Sequence, residues 1–215
     1  YKGDWQNALA AAQAVIEKHG ALEDLTTSKV LPNYYKSVES IVALEQVMTS
    51  SYVRIGAPNK ALIDKYRTGD KRKSLFYKAI TASAYSLQKY GEKGNDGYRC
   101  SFRSAEAYLI AAEAAAELAA DNAAADDSKL NEARTYLKEL MVKRYASAKY
   151  NQYSAQLDNM QKADLLKAIF NERAYELAFE GHRWFDLRRT TRSELTKTYD
   201  DKTYTLSEND SRYTM

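Results

Sequence analysis

Three glutamates near the end of the chain, Glu172, Glu176 and Glu180, recur at every fourth position. On a helix they share one face, where their like charges are unfavourable unless cations lie alongside. Four arginines flank them: Arg173, Arg183, Arg188 and Arg189. The same segment carries an apolar set at i, i+3 and i+4 spacing: Leu166, Ile169, Phe170, Leu177, Trp184 and Phe185. This pattern predicts a helix that is held in one register against neighbouring helices.

The composition of the chain predicts an all-α, mostly helical fold. Only 8 of the 215 residues are Gly and 2 are Pro, whereas a strand-and-turn architecture needs a turn residue every several positions. The formal net charge of +3 comes from 32 basic and 29 acidic residues scattered along the chain. It therefore disfavours nucleic acid as a partner. The longest apolar run, 107–116, is interrupted by Glu113 and is too short to cross a bilayer.

Helical periodicity places several elements along the chain. The first helix is predicted to begin after an N-cap at Asp4 and to end at Gly20. Two further helices, over 102–120 and from Ser128 onward, are joined by an acidic loop. They predict a hairpin of tetratricopeptide type.

The remaining segments have weaker patterns. Residues 34–52 have apolar spacing that fits a helix, and Leu62, Ile63 and Tyr66 fit a short one. Residues 145–156, with tyrosines among polar residues, are typical of a surface loop. The glutamate-rich helix is predicted to be capped by Asp164 and to bend or restart near Gly181.

The glutamate-rich segment resembles the C-terminal signature of the SusD/RagB family, surface nutrient-binding lipoproteins of Gram-negative bacteria. The positions that match its pattern are Glu172, Arg173, Glu176, Leu177, Phe179, Glu180, Gly181, Arg183, Asp186, Leu187, Arg188 and Arg189. Ala174 replaces an arginine of the pattern. Residues 103–114 with 130–134 are similar to a helical pair of the family, and 209–213 to the family's "N-D-P-R-Y", with Ser211 in place of Pro. Asp70-Lys71-Arg72 resembles a "D-x-R" that usually opens a strand or loop near the ligand region.

The resemblance implies a single SusD-like α domain over 1–215, and we expect it to be a piece of a longer protein. Within it we predict a repeat-like helix at 1–20, a variable ligand-side region at 21–98, a helical hairpin at 99–146 and the signature helix at 157–192. The signature residues are predicted to be scaffold. A lipid-carrying cysteine would lie upstream of this sequence.

The signature could instead be catalytic, through Glu180, His182 and Asp186 as general acid and base. Glu180 and His182, however, point to different sides of a helix, and nearby arginines would keep the carboxylates ionised. With 2 His and 1 Cys in the chain, ligands for zinc are scarce. We therefore predict no enzyme activity, no metal and no cofactor.

The 18 tyrosines suggest a ligand surface, because sugar rings pack on aromatic faces while the phenol hydrogen-bonds to hydroxyls. Most aromatic residues at helical spacing fill the margin of a core, as we expect for Trp5, Tyr108, Tyr136, Tyr175 and Trp184. The candidates for ligand binding lie in the weakly patterned region: Tyr34, Tyr35, Tyr52, Tyr66 and Tyr77.

The resemblance implies a non-catalytic protein, lipid-anchored on the outer membrane at the cell surface. It would capture oligosaccharide or another nutrient and deliver it to a SusC-like TonB-dependent transporter. The alternative is an adaptor of tetratricopeptide type that grips peptide tails. Such a groove needs several tandem repeats, and one clear hairpin with a partial helix is visible.

Overall fold

The computed structural model describes residues 2–45, 58–89 and 98–213. The chain divides into two compact units: a larger one, Asp4–Glu176, and a smaller one, Leu177–Met215 with Tyr1–Gly3. The four segments predicted from the sequence, 1–20, 21–98, 99–146 and 157–192, remain predictions. No helix in the described part of the chain is both long and apolar enough to cross a membrane.

The larger unit is mostly helical, as predicted. Its helices are α1 Trp5–His19, α2 Lys60–Ile63, α3 Lys71–Phe76, α4 Ser104–Leu118, α5 Ser128–Val142, α6 Ser147–Asp158 and α7 Lys162–Glu176. Among its described residues, the strands form two antiparallel pairs, in which β1 Ser40–Glu45 pairs with β4 Tyr98–Arg103, and β2 Tyr77–Ala79 with β3 Tyr85–Leu87.

Helix α4 lies at the centre of the larger unit and packs against α1, α5 and α7. Its sequence is rich in alanine, and nearly every residue between Ser104 and Ala116 is buried. Small side chains let the neighbouring helices approach closely. The predicted hairpin of α4 and α5 is therefore confirmed.

Side-chain caps explain where two of these helices begin. The Asp4 carboxylate accepts a hydrogen bond from the backbone N–H of Asn7 at 3.3 Å, as the sequence predicts. Asp127 accepts bonds from the N–H groups of Lys129 and Leu130 at 2.8 and 3.1 Å and starts α5. Such caps satisfy donors that the first turn of a helix leaves without partners.

Three sequence predictions about elements were wrong. In the segment 34–52, residues Ser40–Glu45 form a strand rather than a helix, because Ile41 and Val42 are β-branched and the strand pairs with β4. The part of that prediction at 46–52 lies outside the described residues. The predicted loop at 145–156 contains most of α6, whose C-terminal end is held by Arg134: its Nε donates to Leu157 O at 2.8 Å. Asp164 lies in the first turn of α7 and does not cap it.

The smaller unit contains helix α8 His182–Arg189, the hairpin of β5 Leu195–Tyr199 and β6 Lys202–Leu206, and a 3₁₀ turn Ser211–Tyr213. The predicted restart near Gly181 is confirmed. The helix α7 ends at Glu176, and α8 begins after Gly181, whose φ of 90° is in the left-handed region that favours glycine.

Candidate functional site

Two of the signature glutamates are buried inside the larger unit. Glu172 and Glu176 lie one turn apart on α7, and their residues are 4% and 0% exposed. A buried carboxylate must be paired and hydrogen-bonded to remain charged. The question is therefore which cations reach them.

Three arginines from distant parts of the chain converge on the Glu176 carboxylate. Arg72 Nη1 and Arg144 Nε donate to Oε2, both at 2.9 Å. Arg103 Nη1 and Arg144 Nη2 donate to Oε1 at 2.6 and 2.9 Å. Arg103 Nη2 also donates to the Glu176 backbone carbonyl at 2.9 Å. Glu176 thus fastens α7 to the start of α3, the end of β4 and the residues that follow α5.

The same arginines engage further acids. Arg72 makes a bidentate pair with Asp70, through Nε to Oδ1 at 2.9 Å and Nη2 to Oδ2 at 2.7 Å. Its Nη2 also lies 2.7 Å from Glu172 Oε1. Arg103 Nη1 donates to Glu39 Oε2 at 2.8 Å. We define the buried ion cluster as Glu39, Asp70, Arg72, Arg103, Arg144, Glu172 and Glu176.

The buried ion cluster contains charges of both signs in close contact. Its four carboxylates face three guanidiniums, and the buried Lys89 adds a fourth cation by donating from Nζ to the Glu176 carbonyl at 2.8 Å. Burial opposes ionisation of Glu176, but the guanidiniums of Arg144, Arg103 and Arg72 hold its pKa well below the usual value. For Glu172, burial outweighs the attraction of Arg72 and raises the pKa. The pKa values of the two glutamates are therefore shifted in opposite directions, and so are their contributions to the pH dependence of stability.

The predicted neutralisation is confirmed for Glu172 and Glu176. Cations that reach them, Arg72, Arg103 and Arg144, come from distant parts of the chain. Glu180 does not share their helical face, because α7 ends at Glu176. Asp70-Lys71-Arg72 opens a helix rather than a strand or loop: Asp70 accepts a bond from the Arg72 N–H at 2.9 Å.

The other signature residues have different surroundings. Arg173 is buried on α7 and Arg183 is exposed on α8. Within the smaller unit, the buried Asp186 accepts a hydrogen bond from Arg189 Nη2 at 2.8 Å. Arg188 Nε donates to Tyr213 O at 3.3 Å. These contacts are internal and give the segment a structural role.

Asp186 belongs to the alternative acid–base group of Glu180, His182 and Asp186, and it is a buried carboxylate. Asp186 is 2% exposed and is held by an arginine one turn away on α8. A general base must instead be within hydrogen-bond reach of a substrate. The geometry of Asp186 therefore supports a structural rather than a catalytic role.

The five candidate tyrosines separate into three groups. Tyr66 and Tyr77 are 5% and 4% exposed and belong to a buried cluster with Ile63, Phe76 and Leu87. Their hydroxyls lie 3.1 Å apart, and the Tyr66 hydroxyl also donates to Tyr175 O at 2.8 Å. Both rings are in the core and offer no free face to a sugar, so their proposed role as a stacking platform is withdrawn. Tyr52 lies outside the described residues.

Tyr34 and Tyr35 form a half-buried aromatic pair on the loop between α1 and β1. Their ring centroids are 4.9 Å apart in an edge-to-face arrangement at 68°. The Lys36 ammonium lies 5.4 Å from the centroid of the Tyr35 ring. We call these three residues the tyrosine-pair surface.

Contacts on both sides hold the tyrosine-pair surface in place. Before it, the buried Asn33 donates from Nδ2 to Lys89 O at 2.9 Å. After it, the buried Ser37 donates from Oγ to Glu23 Oε1 at 3.0 Å. Two neighbouring rings on an anchored loop can accept a flat apolar face with little loss of conformational freedom. The sequence indicated these residues only through their aromatic character and position.

Packed helices around a buried arginine–carboxylate cluster define a mostly helical scaffold. The SusD family model matches residues 13–215, and the chain belongs to the SusD family. A search of curated protein sequences gave no match.

Solved structures with the same fold come from Bacteroides species. A SusD superfamily protein from Bacteroides thetaiotaomicron is 18% identical with a TM-score of 0.69, and the match covers 98% of this chain and 53% of that one. A SusD-like carbohydrate binding protein from Bacteroides vulgatus is 21% identical with a TM-score of 0.63, covering 94% and 47%. Surface glycan-binding protein A from Bacteroides uniformis is 18% identical with a TM-score of 0.58, and the match covers 85% of this chain and 44% of that one. The chain thus spans about half the length of these relatives.

Proposed function

We propose that this chain is part of a non-catalytic, cell-surface binding protein that captures an oligosaccharide. The observation that carries the proposal is the tyrosine-pair surface on a scaffold of the SusD family. Tyr34 and Tyr35 bring two aromatic rings and two phenol hydroxyls to one loop, and these are the groups that bind the two chemically different sides of a sugar ring. Two similar structures described as carbohydrate- or glycan-binding support this ligand class.

The proposal includes delivery of the captured nutrient to a TonB-dependent, SusC-like transporter in the outer membrane, with the protein held there by an upstream lipid anchor. Family membership supports this pathway. Weak stacking contacts suit the task, because a ligand that is handed on must also be released. Co-purification of the full-length protein with such a transporter from outer membranes tests this step, and recovery in a soluble fraction without it would contradict the step.

Binding at the tyrosine-pair surface is tested with the full-length protein and a panel of neutral and acidic oligosaccharides, measured by calorimetry. Replacing Tyr34 and Tyr35 together by alanine should weaken binding of at least one member of the panel about tenfold, since stacked aromatic contacts are each worth about a kcal/mol. The control is Tyr150→Ala, which removes a half-buried tyrosine of α6. Equal loss in both variants would argue against the assignment.

The non-catalytic assignment has its own test. Overnight incubation of the protein with any oligosaccharide that it binds should release no new reducing ends. Hydrolysis that persists through purification and is lost in His182→Ala would instead support the acid–base group in the signature.

A further inference from the structure

The hairpin of β5 and β6 in the smaller unit is a regular two-stranded element with a defined register. Leu195 pairs with Leu206, and Tyr199 pairs with Lys202 next to the turn. The two turn residues, Asp200 and Asp201, have φ of 49° and 56°. Positive φ at both central positions is typical of the type I′ turn, whose twist matches that of the strands and which fixes the register.

This register gives the hairpin two chemically different faces. Four threonines share one face, where Thr196 and Thr205 have their hydroxyl oxygens 3.4 Å apart, and Thr198 and Thr203 have theirs 3.3 Å apart. The six residues of the opposite face we call the tyrosine–lysine face: Leu195, Lys197, Tyr199, Lys202, Tyr204 and Leu206.

The tyrosine–lysine face is open to solvent. Tyr199 is 71% exposed and Tyr204 57% exposed. Two rings at diagonal positions of neighbouring strands are about 7–8 Å apart at their backbones, so both can contact one extended ligand. Large rings exposed together in this way mark binding surfaces more often than scattered single residues do.

The base of the hairpin is anchored, although a hairpin of two strands is marginal on its own. The Tyr213 hydroxyl donates to Ser193 O at 2.6 Å, which ties the chain after β6 to the chain before β5. Tyr213 also stacks on Trp184 of α8, with centroids 5.2 Å apart and planes at 16°. The exposed rings are therefore carried on an element with a fixed base.

The charges on the tyrosine–lysine face are all positive. Each tyrosine lies directly opposite a lysine, in the pairs Lys197 with Tyr204 and Lys202 with Tyr199. The acids of this region lie off the face: Asp200 and Asp201 in the turn, and Glu194 and Glu208 beyond the strand ends. An aromatic ring beside an ammonium group is complementary to a sugar ring that carries a carboxylate.

We propose that the tyrosine–lysine face is a second saccharide site, and that its ligand is an acidic oligosaccharide containing uronic acid units. The pyranose rings pack on Tyr199 and Tyr204, while the carboxylates pair with Lys202 and Lys197. The inference rests on the proposed function and names a ligand class for it. The hairpin edge could alternatively pair with a strand of a partner protein. This face fits that role less well than it fits a saccharide, because lysines on edge strands oppose strand pairing.

The test uses calorimetry on the full-length protein with a short oligogalacturonate and, as the neutral probe, a maltooligosaccharide of equal length. The tyrosine–lysine face should bind the acidic probe more tightly, and increasing salt should reduce that preference as charges become screened. Replacing Tyr199 and Tyr204 together by alanine should weaken oligogalacturonate binding about tenfold or more. Replacing Lys197 and Lys202 by glutamine should remove the preference and its salt dependence.

The matched control changes the opposite face, by Thr198→Ser with Thr203→Ser, and should leave oligogalacturonate affinity unchanged. The proposal is overturned if full-length protein does not bind oligogalacturonate, if both tyrosine and lysine variants bind it as the unchanged protein does, or if the neutral probe binds equally well. The Tyr34 and Tyr35 variant separates the two sites. If sugar binding is lost in that variant but is unchanged in the hairpin variants, only this inference is contradicted. If the full-length protein binds none of the saccharides tested, the proposed function is contradicted as well.

Discussion

At the scale of single residues, Glu176 has the most demanding environment in the buried ion cluster. Its two carboxylate oxygens accept four hydrogen bonds from three arginines, and the residue is 0% exposed. Removing one partner of a buried ion group costs more free energy than the whole group contributes to stability, because the remaining buried charges are no longer compensated. We therefore propose that Glu176 has a scaffold role.

We expect Glu176→Gln to lower the free energy of unfolding by about 3–5 kcal/mol. For a chain of this size that is a fall in melting temperature on the order of 10 °C, which thermal denaturation would detect. The control is Asp164→Asn, which removes a pair with Lys167 whose side chains are 66% and 74% exposed, and should change stability by less than about 1 kcal/mol. Equal effects of the two substitutions would contradict the assigned role of Glu176.

At the scale of elements, Gly181 separates the two signature helices. Its φ is 90°, and a Cβ added there would meet nothing within 4 Å. Any cost of substitution is therefore conformational rather than steric. Gly181→Ala should destabilise by about 1–2 kcal/mol, because L-residues are disfavoured in the left-handed region. Gly181→Asn should cost less, since asparagine tolerates that region best. Denaturant unfolding of both variants measures the difference, and a neutral alanine variant would refute the argument.

The elements that sequence predicted well are those with local signals. Asp4 and Gly20 bound α1 as expected, and the alanine-rich pattern located α4. The strand β1 was missed because its partner β4 begins 53 positions after it ends (98 − 45), and a helical apolar spacing also fits its residues. The helix α6 was missed because one residue, Leu157, is its buried anchor, too few to produce an apolar period.

At the scale of the whole molecule, the buried ion cluster joins segments that the sequence gives no reason to connect. The arginines that bind Glu176 lie 104, 73 and 32 positions away from it. The spacing of the glutamates predicted that cations would be needed, but it gave no indication of arginines so far away along the chain. For the ligand surface, aromatic composition indicated Tyr34 and Tyr35 together with Tyr66 and Tyr77, and only burial separates the two pairs.

The stability of the whole molecule should depend on pH through opposite contributions of the two buried glutamates. An unfolded glutamate has a pKa of about 4.3. The folded pKa of Glu176 is well below its usual value, so its contribution is complete above about pH 4.3 and is lost as pH falls toward the folded pKa. The folded pKa of Glu172 is raised by burial. Between the unfolded and folded values the native state therefore binds more protons, and stability increases as pH falls.

Two substitutions separate these contributions when the free energy of unfolding is measured by denaturant titration from pH 7 to pH 3. The stability difference between the unchanged protein and Glu176→Gln should be constant from neutral pH down to about 4.3 and should shrink below it. Against Glu172→Gln, the unchanged protein should gain relative stability as pH falls from neutral toward about 4.3, because glutamine imitates the protonated acid at every pH. Parallel profiles for both variants would mean that the two carboxylates share one environment, contrary to the separate surroundings of Glu172 and Glu176 in the cluster.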